Sequence, residues 1–340
     1  MEKITYLLGA GASAEVLPLI KKNPSSGKQG LSEELENFVN EEGGSIAKME
    51  NLTVEDLKLL KVITKKCRTF GTPDLAAKYY HETKDWENYL HLKKLMSWYF
   101  YSFERTPNRT GTGFEGRNLD PRVVPFLTTI SSNGRLPKTV KMLSWNYDTQ
   151  IEMGANFLKG VPGKSNDFDS QFFIWPYSSQ PTDTKDREYF LHHLNGYCGP
   201  NYSKRSLAGE EPSAFDMHSR DEPLLSFAWE DDDSYDKTTF TTRRIELASK
   251  LIVGTTILVV IGYSFPFFNR KIDAKLFETM KWTLQKIYFQ DPYLDGQFLY
   301  GQFGLNKDSD TTLLEQQNGG KAVDIQWIKD KSQYFVPFEL

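Results

Sequence analysis

The stretch Ile4-Thr5-Tyr6-Leu7-Leu8-Gly9-Ala10-Gly11-Ala12-Ser13 decides the fold class of this chain. It is a compact apolar run that ends in Gly-Ala-Gly, and helix-compatible residues 13–22 follow at once. This order predicts a strand, a tight turn and a helix. In such a unit, Gly9 and Gly11 let the backbone approach a pyrophosphate, Ser13 adds a hydroxyl, and the helix N-terminus directs its N–H groups at the ligand. The spacing is GxGxS and not the full GxGxxG, so the turn alone is equally consistent with a plain strand–helix connection.

Short apolar runs alternate with helical segments along the rest of the chain. Strand candidates lie at residues 139–143, 172–175, 189–194, 256–261, 287–290 and 322–328. Continuous apolar strands that alternate with helices are typical of a parallel sheet covered on both faces. We therefore predict an α/β fold with a Rossmann-like, mostly parallel sheet and helices on both faces.

Residues 23–117 follow the first strand–helix unit and show apolar residues at helical spacing over much of their length. They predict a helical insert, in which Thr72 is an N-cap candidate before Pro73. Residues 1–22 and 118–340 then form the Rossmann-like core, and the 340-residue chain is predicted to be a single domain.

Composition excludes several classes of protein. The net charge of −4 does not favour a nucleic-acid binder, which normally carries a basic excess. The two cysteines, Cys67 and Cys198, cannot build a cysteine zinc site, and no metal is expected. The acidic run Glu230-Asp231-Asp232-Asp233 is either a metal site or a solvated face, and the second is favoured. The most apolar later stretch, residues 251–262, is too short to span a membrane, so we predict a cytoplasmic protein without membrane contact.

Unusual residues follow the predicted strands at the edge where open α/β sheets bind ligands. After the second strand comes Ser144-Trp145-Asn146-Tyr147-Asp148, in which Asn146 is suited to bind a ribose hydroxyl or to hold an attacking water. Asn146 is also a common turn residue, and Asp148 is as consistent with an N-cap as with a ligand contact.

Two later strand ends add candidates for nucleotide binding. Gly262-Tyr263-Ser264-Phe265 ends the strand at 256–261, and Asp291 ends the next one. Asp291 is placed to bind the second ribose or the adenine amine, although Asp-Pro is also a turn signal. Of the adjacent His192 and His193, at most one can serve a given site because neighbours on a strand point to opposite faces, and a strand histidine is more often structural.

In this order and spacing the motifs resemble the sirtuin-like domains of bacterial anti-phage defence effectors, and the resemblance covers nearly the whole chain. The stretches that carry it are Gly9-Ala10-Gly11-Ala12-Ser13, Phe70-Gly71-Thr72-Pro73-Asp74 with Ala76 and Lys78, Ser144-Trp145-Asn146-Tyr147-Asp148, and Ile261-Gly262-Tyr263-Ser264-Phe265-Pro266-Phe267-Phe268-Asn269 with Asp273.

The resemblance implies that NAD is bound across the sheet and hydrolysed to nicotinamide and ADP-ribose. The family's catalytic Asn matches Asn146. Its catalytic His, which precedes a Gly, is replaced by Asn195 before Gly196. A neutral amide cannot accept a proton, and such assistance contributes ~10²–10⁴-fold in rate. His193, two residues earlier and on the same predicted strand face as Asn195, is the expected substitute base.

Two functions therefore stay open at the level of sequence. NAD hydrolysis in defence is favoured over a catalytically weakened module that binds NAD or ADP-ribose as a sensor or structural subunit. A dehydrogenase is disfavoured, because the full GxGxxG with an acidic residue downstream is absent. Lysine deacylation is disfavoured because the four-cysteine zinc module of such sirtuins is absent. The resemblance further implies a separate sensor or activator protein, or self-assembly into a homo-oligomer.

Overall fold

The computed structural model describes residues 2–20, 29–40, 52–105, 118–132, 136–159, 174–175, 190–196, 198, 223, 225–232, 240–291 and 323–340. Its centre is a seven-stranded sheet with the order β3-β4-β2-β1-β5-β6-β7, in which every pair of neighbours is parallel. The strands are β1 (Ile4–Leu8), β2 (Val140–Ser144), β3 (Ile174–Trp175), β4 (Leu191–His193), β5 (Ile257–Ile261), β6 (Lys286–Gln290) and β7 (Asp324–Ile328).

The central strand β1 lies between β2 and β5, and all residues of these strands are buried. The chain places β2, β3 and β4 on one side of β1, with β4 between β2 and β3, and then crosses to β5 on the other side. Leu8 is level with both Ser144 and Ile261, so the carboxyl ends of the three strands stand at one edge. This change of direction creates the crevice in which doubly wound sheets bind ligands. The predicted Rossmann-like α/β fold is confirmed.

Helices cover both faces of the sheet. They are α5 (Val123–Ile130), α6 (Gln150–Lys159), α7 (Phe240–Ile252) and α8 (Arg270–Met280). Tyr6 and Leu8 share one buried cluster with α5 and α6, whereas Leu7 belongs to a second cluster with α7 and α8. Successive residues of a strand point to opposite faces, so a strand that is apolar throughout requires both layers.

Four helices form a module with its own core, and they confirm the predicted helical block. These are α1 (Leu31–Asn40), α2 (Val54–Phe70), α3 (Pro73–Glu82) and α4 (Trp86–Arg105). The Thr72 side chain accepts a hydrogen bond from the Leu75 amide (3.2 Å), and Pro73 occupies the first helical position, as predicted. Leu35, Leu60 and Met96 lie at the centre of the module, fully buried.

The predicted helix over residues 13–22 is wrong for residues 14–20, and residues 21–22 lie outside the described ones. The glycine turn leads into a short 3₁₀ helix, Ala10–Ser13, and Leu19 then forms an isolated parallel bridge with Gly30. Pro18 explains the difference, because proline lacks the N–H that a helix needs and biases the preceding residue away from helical geometry. The turn therefore has no α-helix dipole behind it.

The observed strands otherwise match the predicted ones to within a few residues. β4 is the main exception, since it ends at His193 within the predicted 189–194 strand; residues 172–173 and 189 lie outside the described residues. Among the described helices none combines the length and the apolar character needed to cross a membrane.

Candidate functional site

Consecutive side chains after β2 reach different parts of the fold. Trp145 donates its indole N–H to Asp273 of α8 (3.1 Å), and the Tyr263 hydroxyl donates to the same carboxylate (2.8 Å). The Trp145 and Tyr263 rings are stacked, with centroids 6.1 Å apart and planes 14° apart. Burial raises the pKa of Asp273 to about 7, although both donors favour its charged form. These contacts attach the end of β2 to the end of β5.

Tyr147 attaches the same loop to the helical module. Its hydroxyl donates to Asp74 at the start of α3 (2.8 Å), and both side chains are deeply buried. Burial raises the pKa of Asp74 to about 6. The motifs that carry Asp74 and Tyr147 are thus in direct contact, 73 residues apart in the chain.

Asn146 and Asp148 turn toward the first glycine turn. The Asn146 amide donates to Ser13 Oγ (3.3 Å), and the nearby Ser13 hydroxyl favours the charged form of Asp148. Asp148 accepts from the Gln150 backbone N–H at the start of α6 (3.2 Å), which supports its interpretation as a cap, while its contact with a ligand stays a prediction. Burial raises the pKa of Asp148 to about 6.

The glycines are required for a close contact between two strand ends. A Cβ on Gly9 would lie 2.5 Å from Tyr263 Cα, one on Gly11 2.7 Å from Gly262 Cα, and one on Gly262 2.3 Å from the Ala12 nitrogen. The amides of Gly9 and Gly11 donate to the carbonyls of Ile261 (3.0 Å) and Gly262 (2.9 Å). These N–H groups are therefore engaged within the protein, and phosphate binding by this turn stays a prediction.

A small cavity lies where β1, β2 and β4 end. Its volume is about 10 Å³, roughly the room for one water molecule. Its lining side chains are mostly polar: Ser13, Ser144, Asn146, Asp148, Gln150, Glu152 and His193, with Leu8, Ala12, Ile151 and Tyr334. The structure thus brings together the predicted residues Ser13, Asn146, Asp148 and His193 from separate segments of the chain.

Sequence reasoning missed Glu152, which lies in the first turn of α6. Its Oε1 lies 2.6 Å from His193 Nε2, and both side chains are buried. The carboxylates of Glu152 and Asp148, together with the Asn146 backbone carbonyl, raise the pKa of His193 against the opposing effect of burial. The two side chains therefore form a buried hydrogen-bonded pair. Two carboxylates spaced along a helix start were the available signal, but Glu on a helix is too common to stand out.

The sequence also did not predict the contacts made at Ala12, a residue of the cavity wall. The Ala12 carbonyl accepts hydrogen bonds from Arg122 (2.8 Å) and from the Tyr334 hydroxyl. Arg122 forms a two-pronged ion pair with Asp120 (2.8 and 2.6 Å) and lies over the Tyr334 ring, 5.2 Å from its centroid. No local pattern could have indicated that a tyrosine near the C-terminal end of the sequence reaches the first turn.

Asn195 is placed differently from the expectation. β4 ends at His193, and Gly196 with φ +69° turns the chain, so the alternation that would put His193 and Asn195 on one face does not extend to Asn195. The Asn195 amide donates to the Trp145 carbonyl (2.8 Å), and its side chain does not line the cavity. Asn195 fastens the β4 turn to the β2 loop.

The remaining predicted ligand residues lie at the same edge but outside the cavity wall. Tyr263 and Phe265 are buried in the core, Ser264 is exposed, and Phe265 adopts φ +51°, which is rare for a non-glycine residue. Asp291 directly follows β6 and is half-buried. Their predicted contacts with a nucleotide stay predictions.

The acidic run after residue 229 has an internal partner. Glu230 pairs with Lys93 of α4 (3.2 Å) and accepts from the Tyr89 hydroxyl. Glu230 is thus not a free solvated charge, whereas the side chains of residues 231–233 lie outside the described part of the chain. Within the described ranges no group of three or more His, Cys, Asp or Glu side chains is arranged to hold a metal ion.

Comparisons of the chain with protein-family models and with curated proteins find no match. Its class is therefore defined by its own fold and site: a Rossmann-like α/β protein with an acidic polar cavity at the carboxyl edge of its parallel sheet.

Proposed function

We propose that this protein binds NAD at the carboxyl edge of the sheet and hydrolyses it to nicotinamide and ADP-ribose. The observation that carries the proposal is the charge of the cavity. Two buried carboxylates, Asp148 and Glu152, stand beside Asn146 where a bound ligand would meet the ends of β1, β2 and β4.

Negative charge at this position suits the glycosidic bond of NAD. Cleavage of that bond builds positive charge on the ribose as the pyridinium becomes neutral nicotinamide. Fixed negative groups in a site that excludes water stabilise such charge strongly. The same carboxylates repel pyrophosphate, so the nicotinamide ribose is the end of NAD that belongs at this cavity.

Cavity size limits how the dinucleotide can bind. Room for one water is far below the ~300–1,000 Å³ of small-molecule pockets. NAD therefore lies across the mouth of the cavity and presents its ribose to Asn146, with only a water-sized group inside.

A second function, binding without cleavage, is favoured by the state of the two candidate bases. Asn195 is an amide tied to the Trp145 carbonyl, and the His193 ring is already bonded to Glu152. If no other group accepts a proton, the protein is a sensor or structural subunit for NAD or ADP-ribose.

The defence role implied by the resemblance belongs to the same proposal. It requires that hydrolysis be slow, with a measurable basal rate, until a trigger acts, either through a separate activator protein or through assembly of copies of this chain. A rate of nicotinamide release per protein molecule that rises with protein concentration would identify assembly as the trigger.

The test combines binding and product formation in one preparation. Calorimetric titration with NAD, followed by proton NMR of the mixture, is expected to show binding and release of nicotinamide. Asn146→Ala should weaken both, whereas Asn37→Ala, an exposed asparagine on α1, should behave as wild type. Binding with NAD left intact would select the second function, and no binding would overturn both.

A further inference from the structure

Two buried oxygens in the wall of the cavity lack a hydrogen-bond donor. Asn146 Oδ1 and Glu152 Oε2 accept no hydrogen bond from any residue that the structure describes. Their residues are only 7% and 8% exposed. A buried acceptor without a partner costs free energy, so this space is suited to a molecule that donates two hydrogen bonds.

The hydrogen bond with Ser13 determines which end of the Asn146 amide is left as an open acceptor. Ser13 Oγ accepts a hydrogen bond from the nitrogen end of the Asn146 amide at 3.3 Å. The nearby Asp148 carboxylate can only accept when it is ionised, and it therefore favours this direction of the Ser13 hydroxyl. The oxygen end is left to point elsewhere, as an acceptor.

Glu152 is fixed by His193 in the same manner. His193 Nε2 holds Oε1 at 2.6 Å, which leaves Oε2 as the open acceptor of the carboxylate. His193 Nε2 is already bonded to the Glu152 carboxylate, so this nitrogen is not open to accept a proton from the water. This conclusion replaces the expectation that His193 substitutes for the missing histidine before Gly196.

We propose that Asn146 Oδ1 and Glu152 Oε2 together hold one water molecule, and that Glu152 is the base that activates this water against NAD. The inference rests on the proposed function. It makes Glu152 a catalytic residue and His193 a positioning residue that acts through Glu152.

The step balances without any further reagent. The bond between ribose C1′ and the nicotinamide nitrogen breaks, and its electron pair neutralises the pyridinium. The water oxygen forms the new bond to C1′, and one water proton passes to Glu152 Oε2 and then to solvent. The products are nicotinamide, ADP-ribose and a proton.

Other titratable groups lie around the pair formed by Glu152 and His193. Asp148 faces it from the loop between β2 and α6. His192 adjoins it on β4, and burial, with His193 and Arg244 of α7, lowers the pKa of His192 well below its usual range. Among the described residues, the group in direct contact with the Glu152 carboxylate is therefore the His193 ring, at 2.6 Å.

Four variants test the inference against a merely structural role. Glu152→Gln keeps the shape and removes the base, His193→Gln removes the positioning group, and Glu246→Gln is a matched exposed control on α7. NAD affinity, the pH profile of nicotinamide release and rescue of Glu152→Ala by azide are measured together. Azide attacks C1′ without needing a base and yields the ADP-ribosyl azide.

We expect Glu152→Gln to keep its NAD affinity, to lose on the order of 10²–10⁴-fold in release rate, and to lose the acidic limb of the profile. His193→Gln should slow release less and move that limb to higher pH, because a positive charge beside the carboxylate is gone. Glu246→Gln should match wild type, and azide should restore cleavage by Glu152→Ala.

The outcomes separate this inference from the proposed function. Glu152→Gln that cleaves NAD as fast as wild type overturns the role of Glu152 and leaves the proposed function standing. A wild-type protein that neither binds nor cleaves NAD overturns the proposed function. A high-resolution crystal structure adds a readout that needs no activity: one water bonded to both oxygens supports the inference, and a protein donor on either oxygen overturns it.

Discussion

Tyr147 and Asp74 are joined by a buried 2.8 Å hydrogen bond that links the loop after β2 to the first turn of α3. The bond connects the Rossmann-like core with the helical module directly beside the candidate site. The bond shows that the motif with Asp74 and the motif with Tyr147 contact each other in the folded protein.

Removal of the Tyr147 hydroxyl should destabilise the protein. Tyr147→Phe leaves the buried Asp74 carboxylate without this donor, and hydrogen bonds to charged groups contribute about 1.5–3 kcal/mol. Urea unfolding should show a loss of that size, and a double-mutant cycle with Asp74→Asn should recover most of it as coupling. Tyr79→Phe, on the partly exposed Tyr79 of the same helix α3, is the control. An equal loss in both variants would contradict the role given to this bond.

Stability should fall as pH rises through the neutral range. Asp273 has a pKa of about 7 against its ordinary 3.8, and Asp74 and Asp148 have values of about 6. The folded protein therefore holds protons there that the unfolded chain has released. The stability that each group contributes is present below its ordinary pKa and is lost as pH rises through its folded pKa.

Asp273→Asn isolates the part of this dependence that belongs to Asp273. Between about pH 5 and pH 8 the wild type should lose free energy of unfolding relative to the variant, by at most ~1.4 kcal/mol per pH unit for one proton. Unfolding curves at several pH values measure the difference. A difference that does not change with pH would contradict the raised pKa of Asp273.

The contact between the two glycine turns predicts an unequal response to alanine. Gly262→Ala would put a Cβ 2.3 Å from backbone atoms of Gly11 and Ala12, in addition to the strain of φ +59°. Gly254→Ala has a similar φ of +79° with nothing within 4 Å, so it isolates the cost of the backbone conformation, about 1–2 kcal/mol. Soluble yield and urea unfolding should show Gly254→Ala folded and Gly262→Ala severely destabilised. Similar stability of the two would show that the strand ends are further apart.

The buried ion pair below the cavity should matter far more than an exposed one. Arg122→Ala leaves Asp120 charged and buried, a change that typically costs about 3–5 kcal/mol. Arg68 forms an equally short pair with Glu36 but is half exposed, so Arg68→Ala should change the free energy of unfolding much less. If thermal and urea unfolding showed that Arg122→Ala and Arg68→Ala lose similar amounts of stability, the larger contribution of the buried pair would be contradicted.

The fold was predictable because its signals are local. Continuous apolar runs mark strands that are covered on both faces, and regular apolar spacing marks α1 to α4. The prediction of a helix after Ser13 was wrong because it followed the helix-compatible composition of residues 13–22. Pro18 alone opposes a helix there, since proline cannot continue one.

The site was predictable only in part. Asn146, Asp148 and Ser13 follow strands directly, so their common edge could be inferred from the parallel sheet. Glu152 could not be inferred, because its role depends on His193, which is 41 residues away in the chain. Asn195 could not be placed either, since the turn at Gly196 ends the alternation on which the inference depended.

The most direct test of the account is the release of nicotinamide from NAD by the purified protein, followed by proton NMR over time. Nicotinamide and ADP-ribose should form in equal amounts with the wild type, and Glu152→Gln should give little product at unchanged NAD affinity. NAD that stays intact with the wild type, under conditions in which binding is saturated and copies of the chain are free to assemble, would contradict it.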